Sequence, residues 1–277
     1  MTIRLATWNL RWQFGDYESR QPAIASTLEQ VGADVMGLQE TWPGQIERLA
    51  KHLGAEQAWV GNRWEGAEDD PEKGMGNAVV SKFPILDVEH RFLDDGRGRK
   101  YRTVLCALLE TPHGVLPFFT THLNFGYDES EIRIAQLQEI SEFIETLNVG
   151  DLPPVLCGDL NAVPDSDEIR RLNGRSKPYV PKRIWTDCWE QRGDGDGVTW
   201  SEDNPYVNTS AWPNRRLDYM LIAWPRKDRP RGNPASAALF GMDEVEGKVP
   251  SDHYGVVVDM ITDRTRPSDA AEGDDED

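Results

Sequence analysis

A carboxylate and an amide follow one buried strand of this chain at short spacing. The segment PVLCGDLNAVPD, residues 154–165, is apolar up to Cys157 and then places Asp159 two residues before Asn161. On an extended strand, residues two apart point to the same face. An acid that could orient or deprotonate a water would then lie beside an amide that could hold the reacting oxygen. These two roles are those needed for the hydrolysis of a phosphoester.

Similar polar residues close or precede the other apolar strands. Burying an ionisable group costs several kcal/mol unless it is paired or bound to metal, so a shared site explains the collection better than chance does. Taken singly, each has an ordinary explanation, such as a turn amide, a solvated acid, or an acid paired with Arg215 or Arg216. The residues are Asn9, Gln39, Glu40, His122, Asp218, Asp252 and His253.

Together these residues have the chemistry of metal-assisted phosphoester cleavage. Mg²⁺ takes oxygen ligands, namely one or two carboxylates, waters and substrate phosphate, and Glu40 with a nearby Asn or Asp offers them. No cluster of Cys and His indicates zinc. A histidine held by an aspartate through one ring nitrogen can donate to a phosphate oxygen with the other. Asp218 and His253 are the candidates for that pair.

The composition of the chain limits the kinds of molecule that it is expected to bind. The 277 residues carry a net charge of −18, which disfavours a long nucleic acid and favours a small molecule or a lipid headgroup. No apolar run approaches the roughly 20 residues that cross a bilayer, and the N-terminus lacks the pattern of a signal peptide. We therefore expect a cytoplasmic protein without stable membrane insertion, and no protein partner is indicated. The three cysteines are expected to be buried free thiols: Cys106, Cys157 and Cys188.

Hydrophobic periodicity predicts an α/β fold. Strands and helices recur in both halves with hairpins inside each, so two mainly antiparallel sheets packed face to face with helices outside is the economical architecture. We expect one domain, residues 1–262, and a disordered acidic tail, residues 263–277; a division into two domains is the lesser alternative. Strands are predicted at 3–10, 33–40, 77–86, 103–109, 114–123, 154–159, 216–224 and 254–261, and helices at 21–31, 45–53, 129–147 and near 169.

The ordered motifs resemble the endonuclease/exonuclease/phosphatase superfamily, which includes DNase I-like nucleases, neutral sphingomyelinases and inositol polyphosphate 5-phosphatases. GDLNA and SDHYGV are the most specific motifs, and their order along nearly the whole chain carries the resemblance. The resemblance implies a DNase I-like four-layer α/β sandwich and in-line attack of water on a phosphoester. The motifs are TWNL, LQE, GNAVVSKFPI, TTHL, GDLNA, RLDYML and SDHYGV.

The resemblance also assigns roles to these residues. Glu40 would be the main ligand of a Mg²⁺ ion, for which Mn²⁺ could substitute, with Asn9 beside it and Asp252 near the same ion or a second one. Asp159 would orient or deprotonate water. Asn161, and with it His122, would contact the scissile phosphate, and Asp218 would orient His253. The histidine at position 122 matches the sphingomyelinase, phosphatase and DNase branches better than the abasic-site endonucleases, which carry a tyrosine there.

Some assignments stay open. The acidic partner of His122 could be Asp69, Asp70 or Glu72. Asn77 is a candidate substrate contact, although a structural amide at a strand start is equally compatible.

Two further groups of residues have ordinary explanations. The basic residues Arg99, Lys100 and Arg102 could meet a phosphate, but a solvated sheet edge is the more common use. The aromatic segment from Trp185 to Trp200 is expected to pack in the core rather than to face substrate.

Three functions fit the sequence. The leading one is a Mg²⁺-dependent phosphodiesterase or phosphatase acting on a small or lipid-like phosphoester. A DNA endonuclease or exonuclease is the second. The third is a binding module that has lost catalysis, which the presence of the full acidic set argues against.

Overall fold

The structure is a computed structural model that describes residues 1–62, 74–94, 98, 101–147, 150–207, 210–224 and 231–263. The strands are β1 Thr2–Asn9, β2 Val35–Thr41, β3 Glu56–Gly61, β4 Gly76–Ser81, β5 Ile85–Leu93, β6 Arg102–Thr111, β7 Gly114–His122, β8 Val155–Asp159, β9 Ile184–Asp187, β10 Asp218–Trp224, β11 Pro234–Phe240 and β12 Gly255–Ile261. The helices are α1 Tyr17–Val31, α2 Pro43–Leu53, α3 Ser130–Thr146, α4 Asp167–Leu172 and α5 Cys188–Arg192.

The strands form two six-stranded sheets. Their orders are β11-β12-β1-β2-β4-β3 and β5-β6-β7-β8-β10-β9. Each sheet has one parallel pair at its centre, β1 with β2 and β7 with β8, and its other pairs are antiparallel. The carboxyl ends of each parallel pair therefore meet at one edge, where the antiparallel strands β10 and β12 begin.

Three apolar clusters separate the layers. The central one joins the inner faces of the two sheets, for example Leu5 and Val258 of one sheet and Phe118 and Met220 of the other. A second packs α1 and α2 on the outside of the first sheet, and a third packs α3 and α4 on the outside of the second. The predicted four-layer α/β sandwich with helices outside is confirmed.

The central elements agree with the sequence prediction, whereas the outermost strands do not. The predicted strands at 103–109 and 114–123 and the helix at 129–147 correspond to β6, β7 and α3. The prediction omitted β3, β9 and β11 and reached only the first residues of β5. These four are the edge strands of the two sheets. Helix α1 also begins at Tyr17 rather than at residue 21.

Other expectations are met in the described residues. All three cysteines are free and buried, as predicted. No helix in the described ranges is long and apolar enough to cross a membrane. The domain boundary at 262 stays a prediction, since of the predicted acidic tail only Asp263 lies within the described residues.

Gly158 allows β7 and β8 to lie side by side one residue before β8 ends. Its φ is +134°, and a Cβ there would lie 1.9 Å from the backbone oxygen of Thr121 in β7. The close neighbour of position 158 is thus the backbone of the adjacent strand. Position 158 therefore requires glycine for strand pairing.

We expect Gly158→Ala to lower the free energy of unfolding by about 2–6 kcal/mol, because backbone strain and overpacking each cost about 1–3 kcal/mol. The control is Gly195→Ala, at φ +67° with no atom within 4 Å of the added Cβ. It should lose only about 1–2 kcal/mol, the cost of the left-handed conformation alone. Urea unfolding of both variants provides the measurement, and equal losses would contradict the packing argument.

Candidate active site

The two sheets meet in a group of polar side chains at the shared strand end. Asn9 ends β1, and its Nδ2 donates to Oδ2 of Asp159, which ends β8 in the other sheet, at 3.1 Å. His122 pairs with Asp159 in the parallel register of β7 and β8, and its Nε2 lies 3.4 Å from the same oxygen. Both Asn9 and Asp159 are almost fully buried. The carboxylate of Asp159 is thus held from both sheets.

A second contact between the sheets joins Asp218 to His253. Oδ2 of Asp218, the first residue of β10, lies 2.8 Å from Nδ1 of His253, which precedes β12. Nε2 of His253 lies 3.7 Å from Oδ2 of Asp159, and the ring of Trp200 packs against the imidazole with 4.9 Å between ring centroids. Asp218 thus pairs with His253 rather than with Arg216, which forms its ion pair with Asp187 at 2.7 Å.

The two histidines have opposite protonation preferences. Burial lowers the pKa of His253, but the carboxylates of Asp218 and Asp159 outweigh burial and raise it to about 10. Burial lowers the pKa of His122 well below its usual value, and the positive charges of Arg102 and His253 lower it further. Near pH 7 the site therefore contains one imidazolium and one neutral imidazole.

Glu40 lies at a kink of its strand. The register between β2 and β4 shifts between Leu38 and Thr41, and Glu40 has a left-handed φ of +53°. A bulge of this kind turns a side chain out of the normal alternation of a strand. Oε1 of Glu40 lies 3.9 Å from Nδ1 of His122.

The acids of the site are held close together and away from water. Burial, then the negative charge of Asp252, raise the pKa of Glu40 to about 7. Burial, followed by the charge of Asp218, raises the pKa of Asp159 to about 6 in spite of the opposing effect of His253. These carboxylates therefore lie where a cation would relieve their mutual repulsion.

Two groups of side chains could hold that cation. Glu40, Asn9 and Asp252 offer only oxygen donors, the ligands that Mg²⁺ prefers. Asp159, Asp218 and His253 also bring one ligand atom each within 4.8 Å of one another. In that second group the hydrogen bond to Asp218 engages Nδ1 of His253, and its charged ring has no lone pair for a metal. The oxygen-donor group fits a hard divalent cation better.

Asn161 lies beside Asp159, but strand alternation, the reason expected from the sequence, does not orient it. Strand β8 ends at Asp159, and Asn161 adopts a left-handed φ of +49°, so the two residues do not share one face of an extended strand. The backbone N–H of Asn161 donates to Oδ1 of Asp159 at 3.0 Å, and its side-chain Nδ2 donates to the carbonyl of Leu123 at 3.2 Å. A turn, rather than strand alternation, aims both residues into the cleft.

The structure does not bring every predicted residue into the cleft. Asn77 is fully buried in β4, where its amide donates to the carbonyl and hydroxyl of Thr103, and it is not among the residues that line the cleft. The candidates Asp69, Asp70 and Glu72 lie outside the described residues, as do Arg99 and Lys100.

Two residues that the sequence interpretation put elsewhere do line the cleft. Arg102 faces the acids of the site rather than forming a solvated edge, and Trp200 packs beside His253. By contrast, Trp185 packs in the core as expected.

These groups line an open cleft of about 430 Å³. Phe14, Phe125, Tyr127 and Leu217 are among its apolar lining residues. Its polar lining residues include Glu40, Arg102, His122, Asp159, Asn161, Asp252 and His253. Arg215 also contributes to the wall. The cleft therefore combines buried acids and histidines with an aromatic wall.

Comparison with known proteins decides the family. The model of the endonuclease/exonuclease/phosphatase family matches residues 6–253, which span the whole site. The chain belongs to this family. Its members by name cleave phosphoester bonds, so the prediction of a phosphoester hydrolase is confirmed, whereas the substrate and the metal ion are not determined by membership.

Individual relatives in the family are distant. The chain is 29% identical to protein angel of Drosophila melanogaster over 273 residues, covering 88% of this chain and 72% of that protein. D. rerio TDP2 in complex with a single-stranded DNA product matches with a TM-score of 0.72 at 20% identity, covering 93% of this chain and 98% of the other. A mannosyl-6-phosphatase of Bacteroides thetaiotaomicron matches equally well, with a TM-score of 0.72, 20% identity and coverage of 94% and 99%. At these identities the structural matches establish the fold alone.

A buried arginine supports the two segments that follow Asn9 and precede Asp252. Arg20 in α1 is almost fully buried, and its guanidinium donates only to backbone carbonyls in the hydrogen bonds found for it. Its acceptors are Leu10, Arg11, Trp12 and Pro250, at 2.7 to 3.0 Å. Sequence reasoning missed this residue, because a single arginine in an amphipathic helix gives no sign of being buried.

We expect Arg20→Met to lower the free energy of unfolding by about 2–6 kcal/mol, since the two fully buried acceptors, the carbonyls of Leu10 and Pro250, each cost about 1–3 kcal/mol when left without a donor. Because the loops on either side would lose their shared anchor, kcat for phosphoester hydrolysis should fall by about tenfold, a loss of about 1.4 kcal/mol in transition-state stabilisation, at temperatures where the variant is folded. Arg4→Met is the control, since Arg4 forms a partly exposed ion pair with Asp259. Similar losses of stability and kcat in both variants would contradict the role of Arg20.

Proposed function

We propose that this chain is a Mg²⁺-dependent hydrolase of a small or lipid-like phosphoester, acting by in-line attack of water on phosphorus. The observation that carries the proposal is the position of Asp159. Its carboxylate lies between Asn9, His122 and His253, at distances of 3.1, 3.4 and 3.7 Å, in the floor of an open cleft. Family membership supports the same reaction class.

Glu40, Asn9 and Asp252 would hold the metal ion. When bound, Mg²⁺ supplies Lewis-acid polarisation of a phosphoryl oxygen and offsets negative charge that develops there. Arg11 restrains Asp252 from outside, with Nε 3.4 Å from its Oδ2. The hydroxyl of Ser251 donates to the carbonyl of Asn9 at 2.6 Å, which keeps the two loops of the donor group together.

Asp159 would orient the attacking water and accept its proton. One carboxylate oxygen accepts the amide of Asn9 and the other accepts the backbone N–H of Asn161, so its orientation is fixed before substrate arrives. A general base held in this way needs no reorganisation during the reaction.

His253 would donate through Nε2 to a non-bridging phosphate oxygen. Asp218 accepts from Nδ1 of His253 and so fixes the ring. Because the two carboxylates raise the pKa of His253 and keep the ring charged, Nε2, which faces Asp159 and the cleft, also carries a proton. The amide of Asn161 and the ring of His122 would contact the same phosphate. The positively charged ring of His253 would stabilise the negative charge of the pentacovalent transition state.

Removal of either central group should abolish most of the activity. We expect Asp159→Asn and His253→Ala each to lower kcat by about 10²–10⁴, the range for removal of a general base or of a transition-state donor. The assay is hydrolysis of bis-p-nitrophenyl phosphate and p-nitrophenyl phosphate with Mg²⁺. The matched controls are Asp165→Asn and His52→Ala. They change exposed residues and should retain wild-type rates.

The same assay separates the alternative functions. Unchanged rates in both Asp159→Asn and His253→Ala would disprove the site assignment. Absence of turnover with these compounds, sphingomyelin and a nicked oligonucleotide would favour a binding module. Cleavage of the oligonucleotide alone, with binding that weakens steeply as salt is added, would favour a nuclease.

The proposed metal group also predicts a stability effect that does not depend on turnover. Because a bound cation would relieve the repulsion between Glu40 and Asp252, Mg²⁺ at a hundredfold excess over its Kd should raise the free energy of unfolding by about 2.7 kcal/mol. EDTA should remove both this gain and the activity. Glu40→Gln should weaken Mg²⁺ binding in a calorimetric titration, whereas Glu89→Gln, on an exposed strand position, should not. Equal stability with Mg²⁺, with Mn²⁺ and with EDTA would rule out the site.

A further inference from the structure

Four exposed aromatic side chains surround the mouth of the cleft. They come from three separate segments of the chain: residue 14 between β1 and α1, residues 125 and 127 between β7 and α3, and residue 212 before β10. We call Phe14, Phe125, Tyr127 and Trp212 the aromatic rim. Their exposed fractions are 44%, 73%, 55% and 51%. Exposed apolar surface gathered at one place commonly marks a binding site.

The aromatic rim is continuous with the catalytic groups. Phe14, Phe125 and Tyr127 line the same cleft as Asp159 and His253. Trp212 joins the rim through Tyr127, which it meets edge to face with 5.8 Å between ring centroids. A molecule whose phosphate lies against His253 and Asn161 would therefore extend its remaining part along these rings.

Contacts with neighbouring side chains hold three rings of the rim, those of Phe14, Tyr127 and Trp212, in place without substrate. The guanidinium of Arg215 lies 4.7 Å from the ring of Tyr127 and 5.3 Å from the ring of Trp212, and its Nε donates to the carbonyl of Trp212 at 2.9 Å. Phe14 meets Trp12 edge to face at 5.4 Å. Rings fixed in this way lose little conformational entropy when a ligand stacks on them.

The chemistry of the rim favours a flat ring over an aliphatic chain. Aromatic faces next to a guanidinium are the common platform for stacking bases and other planar groups. The exposed aliphatic side chains Leu86, Val88 and Met242 are not among the residues that line the cleft. A net charge of −18 also disfavours docking on an anionic bilayer.

We propose that the aromatic rim binds a planar aromatic group carried by the alcohol part of the phosphoester, as in a nucleotide, and so determines substrate specificity. The proposal rests on the proposed function of the same cleft and narrows its substrate class. The planar group of a mononucleotide and that of a short oligonucleotide end have the same chemistry. Recognition would come from stacking, since within the described ranges the cations that line the cleft are Arg102, Arg215 and His253, which do not form an extended track for a long phosphate backbone.

A matched pair of ligands tests the rim. Adenosine 5′-monophosphate and ribose 5-phosphate share the sugar and the phosphate, and only the first carries a base. Calorimetric titration should give about tenfold tighter binding for the nucleotide, the size that one base stacked on an aromatic ring contributes. The kcat/KM values for the two compounds, and for their methyl esters, should differ in the same direction.

Substitutions in the rim should remove this preference. Phe125→Ala and Trp212→Ala should each bring the affinity ratio close to one, whereas Phe125→Tyr and Trp212→Phe, which keep a ring, should preserve it. Leu86→Ala and Met242→Ala remove exposed apolar side chains outside the cleft, and they should keep the wild-type ratio. A dinucleotide in the same titration distinguishes an oligonucleotide end, which would bind more tightly, from a mononucleotide.

Three results would overturn the proposal. Equal affinity for the two ligands is the first, and an unchanged ratio in both alanine variants is the second. The third is binding to vesicles of phosphatidylcholine and sphingomyelin that is lost in Phe125→Ala and Trp212→Ala, which would assign the rim to lipid. Failure of the proposed function looks different, because the affinity difference would persist while no phosphoester was hydrolysed.

Discussion

The packing of two sheets against each other at one aligned end is the constraint on which the site depends. Asn9 and Asp159, and likewise His253 and Asp218, are on different sheets, so each of these contacts forms only when the sheets hold their relative position. Just beneath, the sheets approach closely at Gly37, where a Cβ would lie 2.4 Å from Sγ of Cys157. Nε2 of Gln39 donates across the same gap to Oγ1 of Thr120 at 2.8 Å. Any side chain at position 37 would separate the strand ends that carry the reactive groups.

The electrostatic repulsion in the site lowers the stability of the fold but suits the proposed chemistry. Burial and mutual repulsion raise the pKa of both Glu40 and Asp159, so the ionised forms that the proposed chemistry uses are disfavoured without a cation. The apolar clusters on either side of the sheets supply the stability that compensates for this. The imidazolium of His253 is the exception, because two carboxylates stabilise its charge. Strained or repulsive groups of this kind persist where the surrounding structure holds them, and they are typical of active sites.

Two arginines hold the loops around the site in position. Arg20 ties the segment after β1 to the segment before His253, so the oxygen donors of two loops share one anchor in a helix. Arg215 does the same for the aromatic rim, where it holds Tyr127 and Trp212 together. Both arginines act through backbone carbonyls and ring faces rather than through acids. Of the two, Arg215 lines the cleft, where its guanidinium lies against rings and not in an ion pair with the carboxylates.

The sequence alone determined the central strands, the main helices and the residues of the polar group, because buried strands are apolar along their length and a polar residue at their end is conspicuous. It did not determine the edge strands. Five consecutive residues of β5 are exposed and most of β11 is exposed or half-buried, so neither has the pattern that identifies a strand. Tertiary structure alone decided that Asn77 bonds to Thr103 instead of lining the cleft, that Arg102 and Trp200 line it, and that Glu40 turns inward at a bulge. These outcomes depend on contacts between segments far apart in the chain, such as Asn77 with Thr103, and local patterns of residues carry no record of them.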